Sequence, residues 1–134
     1  MKKKILITRK LLKENEDKLK KLFDVKLNVN DEIYTTDKIL ELSKDCDGIL
    51  CAVTDKFNNE LINKLSPSIK IIANYAVGYG NIDVNAAKEK NIVVTNTPEV
   101  LDDSTADVSI LLLLGASRKV LEARRAAERQ DWKW

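Results

Sequence analysis

The chain contains no histidine. That absence removes the commonest general base, any Ser-His or Cys-His nucleophile pair and the commonest metal ligand, so no metal site is expected. Cysteine is almost as scarce, with Cys46 and Cys51 the two thiols in the sequence. Without a secretory leader they are expected to be reduced and packed, which points to the cytoplasm. Lys2-Lys3-Lys4 could open a signal peptide, but the apolar Ile5-Leu6-Ile7 is cut short by Thr8-Arg9-Lys10, so it reads as the solvated start of a first strand. Nowhere does an apolar run approach the ~20 residues that span a bilayer. Charge of one sign is also missing: 23 Lys and Arg against 21 Asp and Glu leave a net +2, which gives no electrostatic case for nucleic acid or an acidic membrane.

What is present is the material of one globular domain. A chain of 134 residues, 44% hydrophobic and 33% charged, can bury a single core. Lys4 to Thr8 reads as a strand, followed by Leu11, Leu12, Leu19, Leu22 and Phe23 at helical spacing. Val25, Leu27 and Val29 alternate with Lys26 and Asn28, the period of an edge strand with one wetter face. Thr36 or Asp37 can cap a helix through Ile39, Leu40 and Leu42, and Asp47-Gly48 then introduces the apolar run Ile49 to Val53. Asn58 or Asn59 opens a further helix that Ser66-Pro67-Ser68 stops. Ile69 to Ala73, the helix Asp83 to Glu89 and the strand Ile92 to Val94 complete the alternation. The fold class is therefore α/β: a flavodoxin-like five-stranded parallel sheet in the order 2-1-3-4-5, helices on both faces, and a long C-terminal helix.

That last helix is expected to start at Asp103 or Ser104 and run to about residue 130. Its first half, Val108 and Ile110 to Leu114, is apolar nearly all round and calls for a partner. The acids Asp102, Asp103 and Asp107 are accounted for by capping and the macrodipole, and Trp132 and Trp134 by packing.

In such a sheet ligands bind beyond the carboxyl ends of the strands. The most informative of those segments is Asn74-Tyr75-Ala76-Val77-Gly78-Tyr79-Gly80, where glycines allow unusual backbone conformations and successive N–H groups could hold a carboxylate. The alternative is a glycine-bearing turn that binds nothing. A dinucleotide loop is excluded because Asp83 stands where G-x-G-x-x-G needs its third glycine. Thr8-Arg9-Lys10-Leu11 lacks the glycine of a flavin phosphate loop, and Asp55 alone is a poor match to a phosphate-accepting receiver, reading instead as an exposed loop acid.

Four pieces in order, NYAVGYGNID, VTNTPEVL, STADVSILLLLGASR and the closing DWKW, give the sequence its resemblance to the D-2-hydroxyacid dehydrogenases, especially the glyoxylate and hydroxypyruvate reductase branch. The resemblance covers nearly the whole chain. It implies a two-domain NAD- or NADP-dependent oxidoreductase in which residues 1–102 form the substrate-side domain and 103–134 the helix leading to a Rossmann cofactor domain. It implies that the amides of Ala76, Val77 and Gly78 meet the carboxylate of a small 2-hydroxy or 2-oxo acid, that Tyr75 borders the substrate pocket, and that Thr105 approaches the nicotinamide. The family's catalytic Arg, Glu and His and its phosphate loop correspond to sequence beyond Trp134. No catalytic residue is therefore assigned here, and the chain alone is expected to lack hydride transfer. The segment that returns to pack on the first domain is beyond that point too, so a second apolar face should be bare. Gly80 departs from the family's usual Asp, which bears on the turn's rigidity. Self-association through helix 104–130 is expected, and a free-standing dimerisation or regulatory domain built on that helix is the alternative function.

Overall fold

A computed structural model describes residues 2–129, so Trp132 and Trp134 lie outside the described residues. The elements run β1 (Lys4–Ile7), α1 (Lys13–Leu22), β2 (Asp24–Lys26), α2 (Thr36–Ser43), β3 (Gly48–Ala52), α3 (Asn59–Lys64), β4 (Ile71–Tyr75), α4 (Val84–Glu89), β5 (Val93–Thr95), α5 (Asp102–Ser117) and α6 (Val120–Arg129). All strand pairs are parallel and the sheet order is β2-β1-β3-β4-β5, as expected. The chain divides into a unit of residues 1–98, which holds the sheet, and a unit of residues 99–134.

Short side chains fix the starts of α2, α3 and α4. Thr35, one residue before the expected cap, accepts from the Lys38 N–H; Asn58 accepts from Leu61 and Asp83 from Ala86. Right-handed crossovers over a sheet whose order reverses at β1 put α1 on the face opposite α2, α3 and α4. The latter three pack in sequence on one face, over a core that includes Leu6, Ile39, Ile49, Phe57, Leu61, Ile62 and Ile72. Cys46 and Cys51 are free and buried. Gly48 is dictated by close approach, since a Cβ there would stand 2.7 Å from the Ile71 Cγ2 methyl. The opposite face is thinly covered: α1 buries no residue, and Ile71 and Val93 stay 38% and 58% exposed.

Three readings need correction. The edge strand β2 ends at Lys26, and Asn28, assigned to a wet face, is buried while Val29 is exposed. Asn28 turns inward because its carboxamide closes the following loop, donating to Thr8 O and Glu32 O and accepting from Glu32 N. The last helix is two helices, separated at Arg118 and Lys119, with Lys119 at φ 52°. Ser117 donates its hydroxyl back to Leu114 O, a local bond that competes with the helical ladder. Finally, α5 starts at Asp102 with Leu101 before it and no side-chain cap, so the acids there act on the helix dipole alone.

Acid sensitivity follows from the sheet edges. Asp45 accepts from Lys26 and Lys4, and these bonds hold its carboxyl well below the usual range. Asp47 is lowered by Lys3 and the Lys4 N–H, and Asp31 falls to about 2 through its paired bonds from Arg9 and the Lys10 N–H. A carboxyl that titrates lower when folded stabilises the fold above the unfolded value of ~3.9, and that contribution is lost as pH falls through the folded value. Solvent screens these pairs, so each contribution is small. The urea midpoint should fall between about pH 5 and about pH 3, and fall less in Asp45→Asn; equal falls would refute the assignment.

Candidate functional site

The carboxyl ends of β1, β3, β4 and β5 bring Thr8, Asp55, the turn after Tyr75, and Asn96-Thr97 to one edge of the sheet. Beneath that edge lies a polar network that sequence reading missed. Asp55, expected to be an exposed loop acid, is 2% exposed. One carboxylate oxygen accepts from the Thr8 hydroxyl at 2.6 Å and the Ala52 N–H at 2.9 Å, while Oδ1 has no partner among the described residues. It is inward because a hydroxyl at the end of β1 and an amide at the end of β3 both need an acceptor there.

Asn81 ties this network to the turn. Its Nδ2 donates to the carbonyls of Ala52 (3.2 Å) and Asp55 (3.0 Å), and its Oδ1 accepts from Asn74 Nδ2 at 2.9 Å. Asn74, 2% exposed, also donates to Gly78 O at 2.9 Å and accepts from the Cys51 thiol. Burial, and next the charge of Asp55, pushes the Cys51 thiol up to about 12, so it is a packing residue and no nucleophile. The turn is thus braced from Asn81, and the missing side chain at Gly80 leaves that bracing intact.

On the turn itself the carbonyls of Ala76, Val77 and Gly78 are all taken. Ala76 O accepts from Thr97 N at 2.9 Å, Val77 O from Asn96 Nδ2 at 2.7 Å, and Gly78 O from Asn74. The N–H groups of Ala76, Val77 and Gly78 donate to nothing among the described residues. Gly78 is exposed, and Tyr75 is 57% exposed. The glycines act differently from the sequence reading: neither Gly78 nor Gly80 has positive φ, so no left-handed conformation is involved. A Cβ at Gly78 would meet no atom within 4 Å, so what glycine provides is open space over the amides. A cleft of about 490 Å³ opens beside the turn, bounded by Val53, Lys56, Phe57, Gly80 and Asn81.

Thr105 lies in the second unit, in the first turns of α5, where its hydroxyl donates to Leu101 O at 3.0 Å. The large side chains Val108, Ile110, Leu111, Leu112, Leu113 and Leu114 of α5 are 53–69% exposed. No group of three or more His, Cys, Asp and Glu side chains among the described residues could hold a metal ion, and no described helix is long and apolar enough to cross a membrane.

Comparisons with known proteins agree on a single family. The model of the D-isomer specific 2-hydroxyacid dehydrogenase catalytic domain matches residues 5–128. The glyoxylate reductase of Thermococcus litoralis is 38% identical over 133 residues, which are 99% of this chain and 40% of the relative. A structure described as an NAD-binding D-isomer specific 2-hydroxyacid dehydrogenase, from Polaromonas sp. JS6 66, is 32% identical with a TM-score of 0.86, over 100% of this chain and 42% of that one. The NADPH-dependent glyoxylate/hydroxypyruvate reductase of Sinorhizobium meliloti, solved with NADP and malonate, is 29% identical with a TM-score of 0.79, over 98% of this chain and 40% of that one. The chain therefore spans about 40% of the length of the curated relatives it matches.

Proposed function

The chain belongs to the D-isomer specific 2-hydroxyacid dehydrogenase family, and on that premise we propose that it is the substrate-side portion of an NAD(P)-dependent reductase acting on small 2-oxo acids of the glyoxylate and hydroxypyruvate type. The observation that carries the reading is the turn after β4, where the carbonyls of Ala76, Val77 and Gly78 are occupied and their N–H groups are unpaired among the described residues at an exposed edge. Unpaired amides on one stretch of backbone suit an organic carboxylate, since hydrogen bonds to an ionised acceptor are about twice as strong as neutral ones. Tyr75 would border the bound acid. The neighbour solved with malonate, a dicarboxylate, supports that ligand class.

In this proposal residues 1–102 hold the acid and residues 103–134 lead to a Rossmann domain in the remaining length of the relatives. NAD or NADP would supply the hydride. Thr105 is the residue of this chain that would face the nicotinamide; its hydroxyl proton is engaged by Leu101, leaving its lone pairs for a carboxamide N–H. Hydride transfer also needs a group to move the hydroxyl proton, and a chain without histidine has its commonest candidate elsewhere. The thiols are free, in keeping with a cytoplasmic site of action.

Two measurements test the reading. Glycolate added to the 15N-labelled chain should shift the Val77 and Gly78 amide resonances saturably, whereas chloride at equal ionic strength should not. Mixed with glyoxylate and NADPH or NADH, the same chain should oxidise no cofactor. No saturable shift at those amides sinks the carboxylate site, and turnover by the chain alone sinks the division of labour.

The exposed apolar face of α5 supports the second part of the proposal, self-association of copies through helices 104–130, swapped or paired. A free-standing interaction domain would share that behaviour. It would not bind glycolate at Val77 and Gly78.

A further inference from the structure

We propose that Asn96 is a positioning residue that aims the Gly78 N–H at the substrate carboxylate, as part of a clamp on the carbonyl side of the turn. The inference rests on the carboxylate reading above and deepens it. A trans peptide unit is planar, with its C=O and the following N–H pointing in opposite directions, so a bond that pins the carbonyl of one residue also orients the amide of the next. No peptide bond among the described residues is cis. Thr97 N on Ala76 O therefore sets the Val77 N–H, Asn96 on Val77 O sets the Gly78 N–H, and Asn74 on Gly78 O sets the Tyr79 N–H.

The geometry makes these amides act together. Asn96 and Thr97 are adjacent at the end of β5, so the carbonyls they hold point toward that strand and the Val77 and Gly78 N–H groups point away from it. Asn74 is buried and braced by Asn81, so the Gly78 carbonyl points inward and the Tyr79 N–H outward. The Tyr79 N–H thereby joins those of Val77 and Gly78 as a further donor. The backbone between Ala76 and Tyr79 has no left-handed residue to hold this arrangement by itself; its orientation comes from the clamp. Of the clamp's two side chains, Asn74 also bonds Asn81 and the Cys51 thiol, whereas Asn96 bonds the turn, at 2.7 Å to Val77 O.

The test uses the full chain and sodium glycolate, followed at the Val77, Gly78 and Tyr79 amide resonances. Asn96→Ala should weaken glycolate about tenfold, the loss expected when a charged acceptor keeps its donors but loses their alignment. Its urea midpoint should stay close to that of the parent, a pairing that a merely structural role would not produce. Asn85→Ala, on the exposed side of α4, should bind as the parent does. Parent affinity in Asn96→Ala overturns the clamp while leaving the carboxylate site standing; no glycolate binding by the parent overturns the site. If Asn96→Ala does not fold, the parent decides: Asn96 side-chain amide protons should exchange at least tenfold more slowly than those of Asn85, and exchange at the same rate overturns the proposal.

Discussion

With Leu112→Lys and Leu113→Lys introduced together, a chain that self-associates is expected to become a monomer. Val108 and every residue from Ile110 to Leu114 lie more than half exposed on α5, and no residue of that helix is buried. Burying a leucine side chain is worth ~1.5–3 kcal/mol, so pairing this helix with that of a second copy would recover several such contributions at once. Lysine has nearly the helix propensity of leucine, so the substitutions leave α5 intact while placing charges that an apolar contact cannot take up. Light scattering at a fixed chain concentration gives the answer. A monomeric parent, or a double variant with the parent's mass, would remove self-association from the proposal.

The largest loss of stability is expected at Phe57. Its ring is fully buried in the main core, and its backbone stitches the loop after β3 to the turn after β4, donating to Asn81 O and accepting from Asp83 N, each at 2.8 Å. Phe57→Ala keeps those backbone bonds but leaves a cavity, which should cost ~3–5 kcal/mol in urea unfolding. Phe57→Leu, which retains most of the volume, should cost under ~1.5 kcal/mol. A change below ~1 kcal/mol for Phe57→Ala would mean that the ring is dispensable to the core. Because Asn81 braces Asn74 and hence the Gly78 carbonyl, the alanine variant should also broaden the Gly78 amide resonance.

The sheet order was legible because it depends on patterns of a few residues. Apolar runs at Lys4 to Thr8 and Ile49 to Val53, a cap at Asn58 or Asn59, and the stop at Ser66-Pro67-Ser68 each reflect contacts within one turn or one pleat. The errors share another origin. Polarity alone places Asn28 and Asp55 at solvent, yet both are buried because distant groups require their hydrogen bonds, Thr8 lying 20 residues from one and 47 from the other. The break at Arg118 and Lys119 was hidden by apolar and alanine-rich stretches on either side that each favour helix.

The turn beyond β4 divides in the same way. Its place beyond β4 and its glycines could be read directly, since local composition marks a strand end and a turn. Which side of that turn presents amides could not, because the partners of its carbonyls come from Asn96 and Thr97 on the next strand and from an inward Asn74. By itself, then, the order of residues determined the alternation of strands and helices, the family, and the position of the glycine-bearing turn beyond β4. Only the tertiary structure decided the burial of Asp55 and Asn74 and the direction of the free N–H groups, because a buried polar group is oriented by whichever partner folding brings to it, and those partners lie far away along the chain.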